Sequence, residues 1–422
     1  MRVALTLSIF IVVLSLVVVR PRRWNEAWWT MLGAALMIAL RLVSPQQAVE
    51  ATRAGKNPLL FLLSLLGLSL LIGHSGFFDW SAIHCARIAR RDARALYRNT
   101  FVLGALITAV LSLDTTAVIL TPVVLALVKK LKLPASPYIV LCAFVANVGS
   151  LALPISNLTN ILFSDAFQLT FVTFAARMIL PQLVALFVTY GLLRWNFRAE
   201  LPKRFDDTSL PDPMSVVPSR AYFSACVVVL GVVLVGYFVA PLLGVEAYVI
   251  AFAGCGVLTV AGAATKRVQV RDLAEISWGV FPFVIGLFIA VQAIENLGIV
   301  TIASDWLERL PPGSPAKLLV ASAVTAFASN LMNNLPTALI ARSILVAAHA
   351  DTATMLATLV GADVGPMITP FGSLATMLVF ALARRAGEEV QPAKTLLLGL
   401  WTVPIIVLAT TLSVLLVFSV FR

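Results

Sequence analysis

Charge is scarce in this chain. Asp, Glu, Lys and Arg make up only 12% of its 422 residues, while 60% are hydrophobic, which leaves too little charge to wet the surface of a soluble protein. Cysteine is also sparse: Cys85, Cys142, Cys226 and Cys255 are scattered, with no C-x-x-C pair and only His84 close by. That pattern excludes a disulfide framework and a zinc site, and calls for no cofactor. No His-Glu-x-x-His motif occurs, and "GADVG" is not a Gly-x-Gly-Asp with a partner Tyr-Asp, so the chain lacks the constellations of an intramembrane protease and is not read as an enzyme. The alternating segments of roughly ten residues that barrel strands need are missing as well.

What is present is a succession of long apolar runs, with a mean hydropathy of +0.97. Runs of roughly 20 residues fit a bilayer as helices, because a helix satisfies its backbone polar groups within one segment. Spans are expected near 3–19, 27–43, 57–77, 137–164, 171–193, 221–241, 246–263, 278–297, 353–383 and 394–420. Two further segments, 99–130 and 316–349, are long but polar in their middles. They read as re-entrant hairpins, tolerated where protein or a cavity surrounds the tip. The expected fold is an all-α polytopic membrane protein of about ten transmembrane helices plus two re-entrant hairpins.

The net charge of +11 would suit nucleic acid, but its distribution points to the lipid bilayer instead. "RPRR" at 20–23, the Arg-rich 87–98 stretch, "KKLK" at 129–132, Arg194 to Arg204, Lys266, Arg267, Arg271, Arg384, Arg385 and Lys394 fall in short loops. The positive-inside rule places these in the cytoplasm. The opposite loops carry Asp165, Glu246, Asp305, Glu308 and Asp351, with Arg41, Arg53 and Lys56 as the exception. Both termini are then expected outside. The N-terminal apolar run lacks a small-residue cleavage site and has its Arg cluster after it, so it reads as a retained first span rather than a signal peptide. The polar, Pro-rich stretch 195–219 reads as a simple cytoplasmic linker between halves 1–194 and 220–422. "RIARRDARALYR" (87–98) and "IVTIASDWLERL" (299–310) read as surface amphipathic helices, one ahead of each hairpin.

The halves resemble each other. "ANVGSLALPISNLTNIL" (146–162) aligns without a gap on "ADVGPMITPFGSLATML" (362–378), with Gly149 facing Gly365, Pro154 facing Pro370 and Asn147 facing Asp363. Each segment follows a polar-tipped hairpin, "SLDTTAVILTP" (112–122) or "SNLMNNLPTALI" (329–340). With five spans and one hairpin per half, the second copy enters the membrane from the other side. Inverted repeats whose discontinuous helices meet near the midplane mark secondary transporters.

Pro154 and Pro370 each remove a backbone donor, so spans 137–164 and 353–383 are expected to break there. Gly372 loosens the second break. Ser156, Asn157, Thr159 and Asn160 would line one half-helix, Ser373 and Thr376 the other; the tips add Asp114, Thr115 and Thr116, then Asn330, Asn333, Asn334 and Thr337. These hydroxyls and amides suit a small hydrogen-bonding solute or a partly dehydrated cation, with no fixed positive charge for a polyanion. Asp114 and Asp363 are the candidate proton-coupling residues, since ionisable groups at mid-membrane depth mark ion or proton pathways. The structural alternatives are an N-cap for Asp114, on a helix starting at Thr115, and a cap or a pair with Arg177 or Arg342 for Asp363. His74, His84 and His349 sit near span ends and read as interfacial.

At "LDTTAVILTPVVLAL", "SLALPISNLTNIL", "MNNLPTALI" and above all "GADVGPMITPFGSLATML", the chain resembles the bacterial arsenite efflux pumps (arsenical-pump membrane proteins). Their wider ion transporter superfamily includes sodium/dicarboxylate carriers. The resemblance implies export of trivalent arsenite and antimonite across the bacterial inner membrane, driven by protons and in some members assisted by a soluble ATPase subunit. It carries transport roles onto Asp114, Ser156, Asn157, Asn160, Asn333, Asn334, Asp363, Thr369 and Ser373. Many of these pumps read Asn-Asp-Gly at the first tip, where this chain has Leu113-Asp114-Thr115. The competing reading is a sodium-coupled carboxylate carrier or sodium/proton antiporter. The carboxylate carriers place Ser-Asn-Thr at both tips, a pattern missing from both tips here.

Overall fold

The computed structural model describes residues 2–19 and 25–420; the expected cytoplasmic "RPRR" at 20–23 lies outside them. Every regular element among the described residues is helical, apart from an isolated bridge between Asp92 and Arg204. The first half holds α1 (Arg2–Val19), α2 (Glu26–Ala39), α3 (Pro45–Ala54), α4 (Lys56–Gly73), α5 (Phe77–Ile88), α6 (Ala93–Val110), α7 (Leu113–Thr115), α8 (Thr121–Lys130), α9 (Ala135–Val148), α10 (Leu158–Ala166) and α11 (Phe171–Asn196). The second holds α12 (Arg220–Val239), α13 (Ala247–Ala264), α14 (Val280–Glu295), α15 (Ile299–Glu308), α16 (Pro315–Met332), α17 (Asn334–Ala347), α18 (Thr352–Val364), α19 (Leu374–Arg385) and α20 (Pro392–Val420). Seven helices among the described residues are long and apolar enough to cross a membrane, and a helix stands at every expected span. The molecule is an all-helical, multi-pass membrane protein.

The packing exchanges partners between the halves. α2 lies on α14 while α4 lies on α13; α6 lies on α9 while α16 lies on α18; α11 packs on α20. α9 and α18 are mostly apolar, with isolated polar residues (Asn147; Thr354, Thr358 and Asp363) but no continuous polar face, and both are buried at every residue from Pro137 to Val148 and from Ala353 to Val364. A helix without a polar face belongs inside. Close approach to α18 is set by Gly361 and Gly365. A Cβ on Gly361 would stand 2.1 Å from the Ser322 carbonyl oxygen, and one on Gly365 would stand 2.3 Å from the Ala326 Cα, so the backbones of α16 and α18 touch. Small residues serve this purpose between membrane helices. Gly149, which faces Gly365 in the repeat, brings the end of α9 against the Thr108 side chain of α6, 2.9 Å from where a Cβ would stand.

Three expectations need correction. The surface helix ahead of the first hairpin is Phe77–Ile88, and the hairpin's first arm begins at Ala93 rather than 99. Arg90 and Arg91 take left-handed φ values of 48° and 68°, and Asp92 caps a new helix by accepting from the Arg94 and Ala95 N–H groups, as an N-cap does. The connector is docked rather than a simple linker: Phe205 donates its N–H to the Arg91 carbonyl, Arg91 pairs with Asp207 at 2.7 Å, and Leu201 and Phe205 are buried. The helix breaks also begin ahead of their prolines. α9 ends at Val148 and α18 at Val364; Pro154 only opens a short 3-10 turn beyond the first break, and Pro370 lies in the irregular stretch beyond the second.

Candidate functional site

Each hairpin tip braces the break in its own half. In the first half, α6 ends at Val110, and Ser112 caps the next turn by accepting from the Thr115 N–H. Asp114 therefore lies in the first turn of α7 and is not its N-cap. A π-helical turn follows at Thr116–Leu120; such insertions often mark functional sites. Ser156 donates to the Ala109 carbonyl at 2.8 Å, tying the first break to α6. In the second half, Asn333 sits at the tip with φ +76° and ψ 158°, a conformation that costs a non-glycine residue about 1–3 kcal/mol. Its amide donates to the Phe371 carbonyl at 3.1 Å, and the Asn334 N–H donates to the Gly372 carbonyl at 2.9 Å. Asn330 adds two bonds to the same break, donating to Gly365 O and accepting from the Thr369 N–H.

The two broken helices cross, and the crossing is nearly symmetric, its two partner hydroxyls one position out of register in the repeat. Asp363 accepts from the Thr159 hydroxyl at 2.6 Å. Its repeat mate Asn147 donates to the Thr376 hydroxyl at 3.0 Å. Each thus reaches from the end of the first arm in one half to the start of the short arm in the other. Neither Arg177 nor Arg342 pairs with Asp363: Arg177 lies over the Phe418 ring at 5.1 Å, and Arg342 Nε has no partner among the described residues.

Asp114 and Thr115 lie apart from this crossing, in the wall of a cavity of about 500 Å³. Ser69 and Leu70 of α4, Glu275, and Leu374, Leu378 and Arg385 of α19 line it too. Thr115 shares a 2.6 Å hydrogen bond with Ser69. Thr116 points elsewhere, bonded to Thr108 at 2.7 Å. Asn157 caps α10 by accepting from the Thr159 N–H, Asn160 donates to the Ser150 and Leu153 carbonyls, and Thr337 donates to the Asn333 carbonyl.

Of the ten buried side-chain oxygens that have no hydrogen-bond partner among the described residues, five gather at the breaks and the second tip: Asn160 Oδ1, Asn333 Oδ1, Asp363 Oδ2, Thr369 Oγ1 and Ser373 Oγ. Buried polar atoms are ordinarily satisfied. All five belong to the breaks and the second tip, and all five residues were singled out from the sequence. The structure therefore distributes the candidates over one cavity, one crossing and two breaks.

Gln182, in the apolar helix α11, was not among them. Its Oε1 accepts from the Leu151 and Ala152 N–H groups at 2.8 and 2.9 Å, and its amide donates to the Val148 carbonyl at 2.7 Å. It satisfies the backbone that the first break exposes. A lone amide amid the apolar run 171–196 was the available signal.

Comparison with known proteins bears on this architecture. Residues 5–419 match the arsenical pump membrane protein family. The arsenical pump membrane protein of Escherichia coli K12 is 32% identical over 380 residues, covering 88% of this chain and 89% of that one; its counterpart in Yersinia enterocolitica shows the same identity and coverage. An uncharacterised transporter of Mycobacterium tuberculosis is 25% identical over 399 residues, covering 91% of this chain and 92% of that one. Among solved structures, the Alcanivorax borkumensis YdaH transporter superposes with a TM-score of 0.59 at 17% identity, covering 89% of this chain and 88% of that one. The Neisseria gonorrhoeae antimetabolite efflux pump MtrF gives 0.60 at 15%, covering 90% and 84%. At those identities the likeness is one of fold. The chain is a membrane transporter rather than an enzyme, and it belongs to the arsenical pump membrane protein family.

Proposed function

We propose that this protein is a secondary active transporter that exports trivalent arsenite and antimonite, as neutral trihydroxides, in exchange for protons by alternating access. The two halves, 1–194 and 220–422, act as inverted repeats whose hairpins re-enter the inner membrane from opposite faces, with both termini outside. The observation that carries the reading is the set of five unpartnered oxygens at the breaks. Three of them, Asn160 Oδ1, Asn333 Oδ1 and Asp363 Oδ2, accept hydrogen bonds, and a trihydroxide arrives with three O–H donors. The cavity that reaches Asp114 is lined by Arg385, at the end of α19, and Glu275, both beside the basic set of residues, so it opens to the cytoplasm. Asp114 releases its proton into this cavity while cargo enters; the hydroxyls and amides of the breaks then hold the cargo as the cavity closes.

The test is arsenite uptake into everted vesicles, with and without a proton gradient, in sodium-free and ATP-free buffer. Uptake that a protonophore abolishes, and that needs neither sodium nor ATP, supports proton exchange by the chain without a soluble ATPase subunit. A sodium requirement would overturn it in favour of a sodium-coupled carrier.

A further inference from the structure

A second cavity, of about 390 Å³, lies at the other end of α4. Asn57 and Phe61, near the start of that helix, line it, whereas Ser69 and Leu70, near its end, line the cavity of Asp114. Its rim is the acidic set of loops, with Asp165 after the first break and Glu246 ahead of α13. Its floor is the first break itself, at Pro154 and Ile155.

One short helix runs from the centre into this cavity. On α10, Asn160 and Ser164 are four residues apart and so lie on one face, one turn from each other. Asn160 Oδ1, at the break, has no partner among the described residues. One turn outward, Ser164 is 7% exposed, lines the cavity, and its hydroxyl has no partner either. Tyr237 of α12 also lines the cavity; it is 1% exposed and its hydroxyl is likewise unpartnered. Neither Asp165 nor Glu246 has a basic partner within 4 Å among the described residues. No Lys, Arg or His lines the space, so an oxyanion finds no counter-charge there, while a solute that presents O–H groups finds acceptors. The repeat mate of α10 does the same on the opposite face: Leu374, Leu378 and Arg385 of α19 wall the cytoplasmic cavity.

We infer that the outer cavity is a release station, in which the hydroxyls of the departing trihydroxide pass from Asn160 to Ser164 and Tyr237 before they reach water. This rests on the arsenite reading above. The experiment pairs arsenite uptake into everted vesicles with equilibrium binding of arsenite to purified protein in nanodiscs, for wild type, Ser164→Leu, Ser164→Thr and Tyr237→Phe. Uptake by Ser164→Leu and Tyr237→Phe is expected to fall about fivefold or more, with binding held within about twofold, and Ser164→Thr is expected to recover uptake. Wild-type uptake in both Ser164→Leu and Tyr237→Phe overturns the station alone. So does joint loss of binding and uptake without recovery in Ser164→Thr. A wild-type protein that neither binds nor accumulates arsenite sinks the cargo reading, and the station with it.

Discussion

At the scale of single residues, the pair Asp363–Thr159 shows how much a buried carboxyl depends on one neighbour. Thr159→Val removes the only hydrogen bond that the side chain of Asp363 makes among the described residues. A buried acceptor left unsatisfied costs about 1–3 kcal/mol, so unfolding in detergent should shift by that amount. Asp363→Asn keeps an acceptor for Thr159 and should leave thermal stability near wild type. If Asp363 carries a proton, the same variant should abolish gradient-driven arsenite uptake; unchanged uptake would reduce it to a structural role. Asp114→Asn is expected to stop uptake with no loss of stability, since Asp114 faces the cavity and caps nothing. That both carboxyls sit amid apolar helices could be read in the sequence, where an acid inside an apolar run stands out because charge there is costly. Their partners could not. Thr159 and Asp363 are 204 positions apart, and a buried Arg is as good a partner on paper as a Thr hydroxyl.

Among elements, the helix breaks were foreseen from Pro154 and Pro370, yet they start earlier and are held differently. The proline pattern marks where a helix cannot continue, but the end of α9 also answers to Gly149 packing on α6, which only the fold brings about. The free N–H groups of Leu151 and Ala152 go to Gln182, 31 and 30 positions further along the chain. Gln182→Ala strands the Leu151 and Ala152 donors, and each buried unsatisfied group costs about 1–3 kcal/mol, so this variant should lose several °C in melting temperature by fluorimetry. Gly361→Leu cannot be accommodated against the Ser322 carbonyl, and the expected outcome is no folded protein on size-exclusion chromatography. The surface helix ahead of the first hairpin was displaced in the sequence reading for a related reason. Arg-rich periodicity looked continuous across 87–98, and the left-handed residues Arg90 and Arg91 that divide it leave no compositional mark.

Taken whole, the molecule has a hairpin-bearing block, α6–α10 with α16–α19, set against a frame that includes α1, α2, α4 and α12–α14. The alternating access proposed above requires the two to move relative to each other. Thr115 of the block and Ser69 of the frame share a 2.6 Å hydrogen bond at the cavity wall. In a background with the native cysteines replaced by serine, Ser69→Cys with Thr115→Cys should form a disulfide on oxidation. That bond should stop arsenite uptake, and a reductant should restore it; uptake that survives oxidation, with the cross-link verified by mass spectrometry, would show that these elements travel together. The matching helix ends at Val148 and Val364 were legible because the segments at 146–162 and 362–378 align without a gap. The docking of the connector was not, since its Pro-rich composition is that of a free tether.

That docking also bears on where the polypeptide can be divided. Residues 201–216 belong structurally to the first half: Phe205 is bonded to Arg91, Asp207 is paired with it, and Val216 lies so close to Gly76 that a Cβ there would stand 2.6 Å from its carbonyl oxygen. Two separately translated fragments, 1–218 and 219–422, would each carry their own covering and should reassemble into an active exporter. Cutting at 199 instead hands the strap to the wrong piece, where it must find its seat as a stranger, and the yield of the reassembled protein should drop.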